Sequence, residues 1–372
     1  MLHLDSYKLV ASQALKVTKP IPIIKINEAS LSMATPKQPA SLVLVLALAT
    51  LSTIFNNPTN AADCVGSGTI SVYWGQKSDD EGTLQEACDT GNYNILILES
   101  LIVYDNGTTP TLNLASHCGG SASPCSQLQS QIEHCQQNGI KVFLSLGQDR
   151  TTLTRPNSKT VPSLSSEDTA KELASYLLEN YLSGNPGPLG SVTLDGIDIA
   201  DVTDTEKLAW DEVVKAISGS TTDRKIYLSG SPQCVYPDYY LGKAIDTGLF
   251  DYLWVEFFYQ NPSCIYSNGN ASNLLAAWKK WTSNVPNSLI FLGLVASDEV
   301  EGYIEPEVLK SQVLPDVKKI NSNYGGVMIW DRSFDKKSNY SAQIKDSVGK
   351  VCRCVCDDES NFYGLRSPFM AM

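Results

Sequence analysis

Histidine is scarce in this sequence, and its cysteines are not spaced as metal ligands. The chain of 372 residues has three histidines, and its ten cysteines include no Cys-x-x-Cys pair. Structural zinc sites draw on such pairs and on clusters of histidine and cysteine. The sequence therefore argues against a metal centre, and we expect no metal and no cofactor.

Basic residues are also in the minority. The chain has 28 Lys and Arg against 40 Asp and Glu, which gives a formal net charge of -12. Five lysines and two acidic residues lie in the first 61, so this segment carries +3 and the remainder carries -15. Nucleic acids and anionic membranes repel a body of that charge, which argues against both as partners. A neutral ligand such as a sugar is compatible with it, and we expect a monomer.

The N-terminal apolar run, SLVLVLALATLSTIF at 41–55, is shorter than the roughly 20 residues of a membrane-spanning helix. Small residues follow it, and cleavage after Ala61 or Ala62 would match a secretory signal. The alternatives are a buried strand or a retained anchor. The stretch before Met33 is long for a leader, so Met33 is a candidate true start. We expect a mature chain that begins near Asp63 and is secreted to the apoplast or another extracellular space, or delivered to the vacuole.

Cysteine and asparagine patterns suit an exported protein. Ten cysteines in such a chain are more typical of disulfides than of metal ligands. Glycosylation sequons of the form Asn-x-Ser/Thr occur at Asn106, Asn270 and Asn339.

Short β-rich runs alternate with helical patterns after residue 68. The runs lie at 68–75, 94–100, 141–147, 194–202, 225–230, 252–258, 289–294 and 325–330. Apolar residues at helical spacing separate them, as at 125–139, 166–182, 206–218 and 271–284. Strands that alternate with helices form a parallel sheet, and eight of them favour a closed (β/α)8 TIM barrel over an open sheet.

The domain division follows from the same pattern. No linker interrupts 68–350, so we predict a single eight-stranded barrel over 63–350. A signal region at 1–62 precedes it, and a cysteine-containing tail at 351–372 follows it.

Ligand sites of such barrels lie at the C-terminal ends of the strands. The side chains at those ends include Tyr73, Trp74, Gln76, Glu99, Gln148, the run 198–204, Gln233, Glu256, Tyr259 and Trp330. The aromatic residues among them either stack on sugar rings or fill the barrel mouth, and the sequence leaves both readings open.

Several motifs in order resemble those of one enzyme family. They are SVYWGQ, EGTL, LDGID, the segment from SPQC to WVEF, IFLGL and YGGVMIW. They resemble the plant class III chitinases, the hevamine-type members of glycoside hydrolase family 18, from about Gly68 to Val348. The resemblance implies a β/α barrel that binds chitin or N-acetylglucosamine oligomers.

The resemblance also implies disulfides and sugar contacts. The implied pairs are Cys88–Cys135, Cys118–Cys125 and Cys234–Cys264. Cys64 and the tail residues Cys352, Cys354 and Cys356 lie outside the family pattern, so their pairing stays open. The residues that match sugar-contacting positions are Tyr73, Gln76 and Trp330, and Asp198 also belongs to the implied binding site.

The family's fourth strand ends in the motif D-G-x-D-x-D-x-E. The glutamate donates a proton to the glycosidic oxygen, and the middle aspartate orients the acetamido group of the substrate, which acts as nucleophile. Alternate residues of a strand face the same side, so the last three acids of this motif all face the barrel lumen.

This chain departs from that motif. Without a gap, the four acidic places hold Asp195, Asp198, Ala200 and Val202. A one-residue insertion with a bulge would instead put Asp201 in the middle place and Thr203 in the glutamate place. Valine has no proton to give, and a threonine hydroxyl is too weakly acidic. Neither alignment supplies the proton donor.

The sixth strand departs as well, because EFFY stands where the family has Gln-Phe-Tyr. Glu256 replaces the amide with a carboxylate. Either Phe258 or Tyr259 takes the place of the tyrosine that holds the reacting acetamido group, depending on where the gap falls.

Three functions remain after these comparisons of motifs. The first is a catalytically inactive, chitin-binding protein with a lectin or defence role. The second is an inhibitor of foreign glycoside hydrolases or a seed storage protein. The third is an active chitinase with a substitute acid, for which the candidates are Asp201, Asp204, Glu256 and Glu99.

Overall fold

The fold is known from a computed structural model, which describes part of the chain. The described residues are 69–77, 80–102, 110–118, 125–147, 166–200, 209–220, 222, 224–259, 262–320 and 323–349. The chain divides into Met1–Asn60 and Ala61–Met372, and every described residue lies in the second unit. The signal region, Met33, Cys64, Asn106 and the tail at 351–372 lie outside the described residues.

The described strands form a closed parallel barrel, as predicted. The strands are β1 (Thr69–Trp74), β2 (Ile95–Ile102), β3 (Thr111–Leu112), β4 (Lys141–Gly147), β5 (Gly196–Ile199), β6 (Tyr227–Gly230), β7 (Tyr252–Glu256), β8 (Leu289–Val295) and β9 (Tyr324–Trp330). All except β3 pair in parallel in the order β1-β9-β8-β7-β6-β5-β4-β2, and pairing of β1 with β2 closes the ring. β3 pairs with β2 in antiparallel fashion and does not belong to the barrel. Each of the eight barrel strands overlaps one of the eight predicted runs.

Helices connect these strands. The α-helices are α1 (Leu84–Asp89), α2 (Gln129–Gln137), α3 (Glu167–Leu177), α4 (Trp210–Ser218), α5 (Gly242–Ile245), α6 (Ser272–Asn284), α7 (Pro306–Val308), α8 (Leu314–Ile320), α9 (Arg332–Ser338) and α10 (Tyr340–Val348). The four helical patterns of the sequence correspond to α2, α3, α4 and α6. Ser166 caps α3 through a capping box with Thr169. No helix of the described residues is long and apolar enough to cross a membrane.

Alternation along the strands divides the core into two parts. On β5, Ile197 and Ile199 point outward into the large cluster that joins the barrel to the helices. The residues of the other parity point into the lumen, where aromatic side chains predominate. Tyr252 stacks between Tyr227 and Trp254, with ring centroids 5.7 and 5.4 Å apart. The lower lumen of the described barrel is therefore a packed core, and we expect a ligand site at the C-terminal ends of the strands.

Three disulfides cross-link the described residues, and they are the three pairs that the resemblance implies. They are Cys88–Cys135, Cys118–Cys125 and Cys234–Cys264. Cys234 follows β6 and Cys264 follows β7, so their bond ties together two neighbouring loops at the C-terminal face.

Candidate functional site

Asp198 lies in the centre of the lumen and accepts four hydrogen bonds from neighbouring strands. Its Oδ2 accepts from Tyr73 Oη and Ser145 Oγ, each at 2.8 Å. Its Oδ1 accepts from Ser229 Oγ at 2.6 Å and from Trp254 Nε1 at 2.9 Å. The Asp198 side chain is 0% exposed. This carboxylate therefore holds β1, β4, β6 and β7 around β5.

Burial controls the ionisation of this centre. It raises the pKa of Asp198 above its ordinary value, although the hydrogen bonds from Ser229, Tyr73, Ser145 and Trp254 favour the charged form. Burial also raises the pKa of Tyr73 well above its ordinary value, and the nearby charges of Asp198 and Glu256 add to that effect. The Tyr73 hydroxyl therefore stays protonated and acts as a donor to Asp198.

A second polar pair lies one step nearer the mouth. Ser231 and Glu256 follow Ser229 and Trp254 by two residues each, so they face the same side of their strands. Ser231 Oγ donates to Glu256 Oε1 at 3.0 Å, and the Glu256 side chain is 4% exposed. Glu256 thus lies at the C-terminal end of β7, and the Ser231 hydroxyl holds its carboxylate.

The ladder of β5 stays regular up to Ala200. The Ala200 N–H donates to the Leu146 carbonyl, and the Ile199 carbonyl accepts from Ser231 N–H, both at 2.9 Å. A Cβ atom placed on Gly147 would lie 3.3 Å from the Ala200 carbonyl oxygen. Ala200 therefore continues the strand beside Gly147, two residues above Asp198. The other members of the degenerate motif, Asp201, Val202 and Thr203, lie outside the described residues.

A row of aromatic rings leads from the lumen to the rim. Tyr73 and Trp330 have ring centroids 5.1 Å apart, and Phe258 stacks on Trp330 at 6.4 Å. Tyr259 meets the edge of Phe258 at 5.9 Å and is 56% exposed. Of the two candidates for the family's tyrosine position, Phe258 packs beside Trp330, and Tyr259 lies on the rim.

The loop after β1 is held by a buried glutamate. Glu81 accepts from the N–H groups of Gly75 and Lys77, and its Oε1 lies 2.9 Å from His117 Nε2. Within that loop, Gln76 Nε2 donates to the Glu99 and Asn113 carbonyls at 2.6 and 3.0 Å. The Gln76 amide group thus donates its hydrogens to two backbone carbonyls of the protein.

Asp195 lies apart from the other members of the motif. It precedes β5, where its carboxylate accepts from Gln136 Nε2, Val142 N–H and Arg224 NH2, each at 2.9 Å. These contacts fix the beginning of the strand at the opposite end from the mouth. Asp195 is therefore a structural residue.

The predicted glycosylation sites that the structure describes lie on the surface. Asn270 and Asn339 are exposed, and Asn106 lies outside the described residues. The described residues hold no group of three side chains that could ligate a metal ion.

Sequence reasoning did not identify the partners of the two lumen carboxylates. Ser145, Ser229 and Trp254 were each readable as residues of lumen parity on a predicted strand, and Ser231 directly follows the predicted strand at 225–230. The missing information was the register between strands, which brings Ser145 and Ser229 directly beside Asp198.

The raised pKa of Asp198 predicts a pH-dependent stability difference. Between the unfolded and folded pKa values the native state binds more protons, so the contribution of Asp198 to the free energy of unfolding falls as pH rises through that window. In urea titrations from pH 4 to 7, wild type should lose stability relative to Asp198→Asn as pH increases. A constant difference between the two proteins over this range would contradict the raised pKa.

No protein-family model matches the chain. It is 47% identical over 284 residues to an acidic endochitinase of Cicer arietinum, covering 75% of this chain and 92% of the relative. It is 40% identical over 322 residues to an acidic endochitinase of Vitis vinifera, covering 84% of this chain and 99% of the relative.

Solved structures with the same fold have several functions. The tamarind chitinase-like lectin is 48% identical, with a TM-score of 0.67, and the match covers 74% of this chain and 98% of the lectin. A chitinase of Ipomoea carnea is 40% identical, with a TM-score of 0.65, and the match covers 75% of this chain and 100% of the chitinase. A xylanase and α-amylase inhibitor protein of Scadoxus multiflorus is 36% identical, with a TM-score of 0.64, and the match covers 75% of this chain and 98% of the inhibitor. On identity and coverage at this level, the chain belongs to the plant class III chitinases and chitinase-like proteins of glycoside hydrolase family 18.

Proposed function

We propose that this protein is a secreted, catalytically inactive member of its family that binds chitin or N-acetylglucosamine oligomers in a lectin or defence role. Catalysis in this family needs a proton donor and a positioned aspartate on the fourth barrel strand. The protein keeps the barrel and its aromatic mouth but has altered that strand.

The main support is the unbroken ladder of β5 as far as Ala200. This ladder supports the alignment without a gap, in which Ala200 stands in the place of the middle aspartate and Val202 in the place of the proton donor. A methyl group cannot orient an acetamido group, and valine cannot protonate a leaving oxygen. Loss of the acid alone removes a contribution of about 10²- to 10⁴-fold to the rate.

Retained sugar binding is supported by the mouth of the barrel. Trp330 is half-buried, and the rings of Tyr73 and Phe258 hold it at the C-terminal end of β9. A partly exposed indole held in this way offers a flat face for a pyranose ring. The tamarind relative is named a lectin, which is consistent with a barrel of this kind that binds sugar.

Replacing Trp330 with alanine should weaken binding of chitin oligomers by about 10-fold or more, since burial of a large aromatic side chain contributes about 1.5–3 kcal/mol. Isothermal titration calorimetry with the hexamer measures the change. Trp330→Phe is the matched control, because it keeps a ring and should retain most of the affinity. Equal affinity of wild type and Trp330→Ala would remove the support for the lectin role.

An inhibitory role is the second candidate, because a structural relative is named a xylanase and α-amylase inhibitor. Such a protein would act through surface loops and would bind a glycoside hydrolase whether or not sugar occupies the barrel. Inhibition assays with a xylanase and an α-amylase test this role. Inhibition without any sugar binding would favour it over the lectin.

An active chitinase is the third candidate, because the curated relatives are named endochitinases. Glu256 is the described carboxylate best placed at the lumen end of a strand. It would have to reach within roughly 3 Å of the scissile oxygen, directly or through one water. Chitin cleavage by wild type that disappears in Glu256→Gln would identify it as the acid.

Secretion is part of the proposal and rests on the signal pattern before Asp63. N-terminal sequencing of protein accumulated in its native source should find a first residue near Asp63. Recovery of the intact stretch from Met33 to Ala61 would rule out cleavage.

A further inference from the structure

The rim of the barrel carries a tyrosine whose exposure and backbone are both unusual. Tyr259 is one of three large apolar side chains of the described residues that are exposed, together with Val235 and Tyr239. Its φ of 54° lies in the left-handed region, which residues with a Cβ atom rarely adopt. A strained and exposed aromatic residue beside a ligand cleft suggests a function, because strain persists only where the surroundings enforce it.

The surroundings that enforce this conformation lie in the loop after β8. Tyr259 N–H donates to the Glu301 carbonyl at 3.1 Å. Gly302 packs so closely under the turn that a Cβ atom on it would lie 2.6 Å from the Phe257 carbonyl oxygen and 2.8 Å from Phe258 Cα. The turn after β7 is therefore clamped by the neighbouring loop, which holds the backbone from which the Tyr259 side chain projects.

The aromatic row connects this rim to the proposed sugar site. Tyr73 and Phe258 are buried, so the accessible rings of the row are Trp330 and Tyr259, with Phe258 between them. The steps from Trp330 to Phe258 and from Phe258 to Tyr259 are 6.4 and 5.9 Å. A ligand that covers both accessible rings must be longer than one sugar ring, and it must run from the lumen mouth towards the β7 side.

We infer that Tyr259 extends the carbohydrate cleft and makes the protein selective for long N-acetylglucosamine oligomers over short ones. This inference rests on the proposed function, since it assigns a second stacking surface to the same ligand. Both contacts use the apolar face of a pyranose on an aromatic ring, so one polymer of repeated rings satisfies both. The side chain that provides this second surface belongs to the EFFY segment, in which a residue is added relative to the family pattern.

The test is a comparison of affinities along an oligomer series, from the dimer to the hexamer, by isothermal titration calorimetry. Tyr259→Ala should weaken hexamer binding about 3- to 10-fold and leave dimer binding unchanged, because only the longer ligand reaches the rim. Tyr259→Asn removes the ring with a residue that tolerates positive φ, so it separates loss of stacking from distortion of the turn. It should show the same loss as Tyr259→Ala. Tyr259→Phe should keep the wild-type affinity.

Tyr239→Ala is the matched control. Tyr239 is exposed on the neighbouring loop, and its ring packs edge-on against Tyr240 at 5.0 Å. Its removal should leave both affinities unchanged. If Tyr259→Ala changes the affinities for dimer and hexamer equally, or changes neither, the inference is wrong. The proposed function still holds in that case, provided that the wild type binds the oligomers. If the wild type binds no oligomer at all, the proposed function fails first. If Tyr259→Ala instead loses binding to a xylanase or α-amylase, the rim is a protein contact and the inference is wrong.

Discussion

Replacing Asp198 with alanine is expected to lower the free energy of unfolding by about 5 kcal/mol. The change leaves four donors without an acceptor in a fully buried site: Tyr73 Oη, Ser145 Oγ, Ser229 Oγ and Trp254 Nε1. Each buried donor without a partner costs about 1–3 kcal/mol, and rotation of the hydroxyl groups recovers only part of the loss. Asp198, which the resemblance assigns to the binding site, would then serve here mainly to hold the barrel together.

Chemical denaturation of purified protein measures this loss. Asp346→Ala is the matched control, because Asp346 is exposed on α10 and its removal should change stability by no more than about 0.5 kcal/mol. Asp198→Asn should fall between wild type and Asp198→Ala, since the amide keeps one acceptor for Ser229 and Trp254. A cost of less than about 2 kcal/mol for Asp198→Ala would show that the four strands do not depend on this carboxylate.

The double change Ala200→Asp with Val202→Glu should raise chitin hydrolysis by about 10²-fold or more over the unmodified protein. The glutamate restores the proton donor, and the aspartate restores the group that positions the acetamido nucleophile. Each change alone should recover little, because catalytic groups that act as a unit do not contribute additively. Ala200→Asn with Val202→Gln is the control, since it matches the size of the restored side chains without their acidity.

The alternative register makes a different prediction for the same assay. If a bulge follows Ala200, Asp201 already occupies the middle place, and Thr203→Glu alone should restore hydrolysis. Success of Thr203→Glu together with failure of the double change would contradict the regular continuation of β5. We expect a limited rate in either case, because Phe258, which packs beside Trp330, has no hydroxyl to hold an acetamido group.

The barrel could be predicted from the sequence because each strand carries its own local signal. Runs such as KVFLSLG at 141–147 combine β-forming residues with a clear end, and a glycine follows the helical pattern before it. The two-residue strand β3 was missed, since so short a run has no periodicity to detect. Cysteine pairing came from the family resemblance, because spacing alone leaves many pairings open.

The site was only partly predictable, and the reason is register. The sequence identified Asp198 and Glu256, but Ser145, Ser229 and Ser231 became meaningful only once neighbouring strands were aligned. The sequence also left open whether Phe258 or Tyr259 lies beside Trp330. That choice depends on the turn after β7, which contacts at Glu301 and Gly302 hold in place from a distant part of the chain.

Binding of chitin without cleavage can be tested by following the fate of a bound oligomer. The unmodified protein is incubated with the N-acetylglucosamine hexamer at concentrations that saturate binding, and the oligomers are then analysed by mass spectrometry. The proposed function predicts saturable binding and a hexamer that remains intact over prolonged incubation. Accumulation of shorter oligomers, abolished when Glu256 is changed to glutamine, would contradict it.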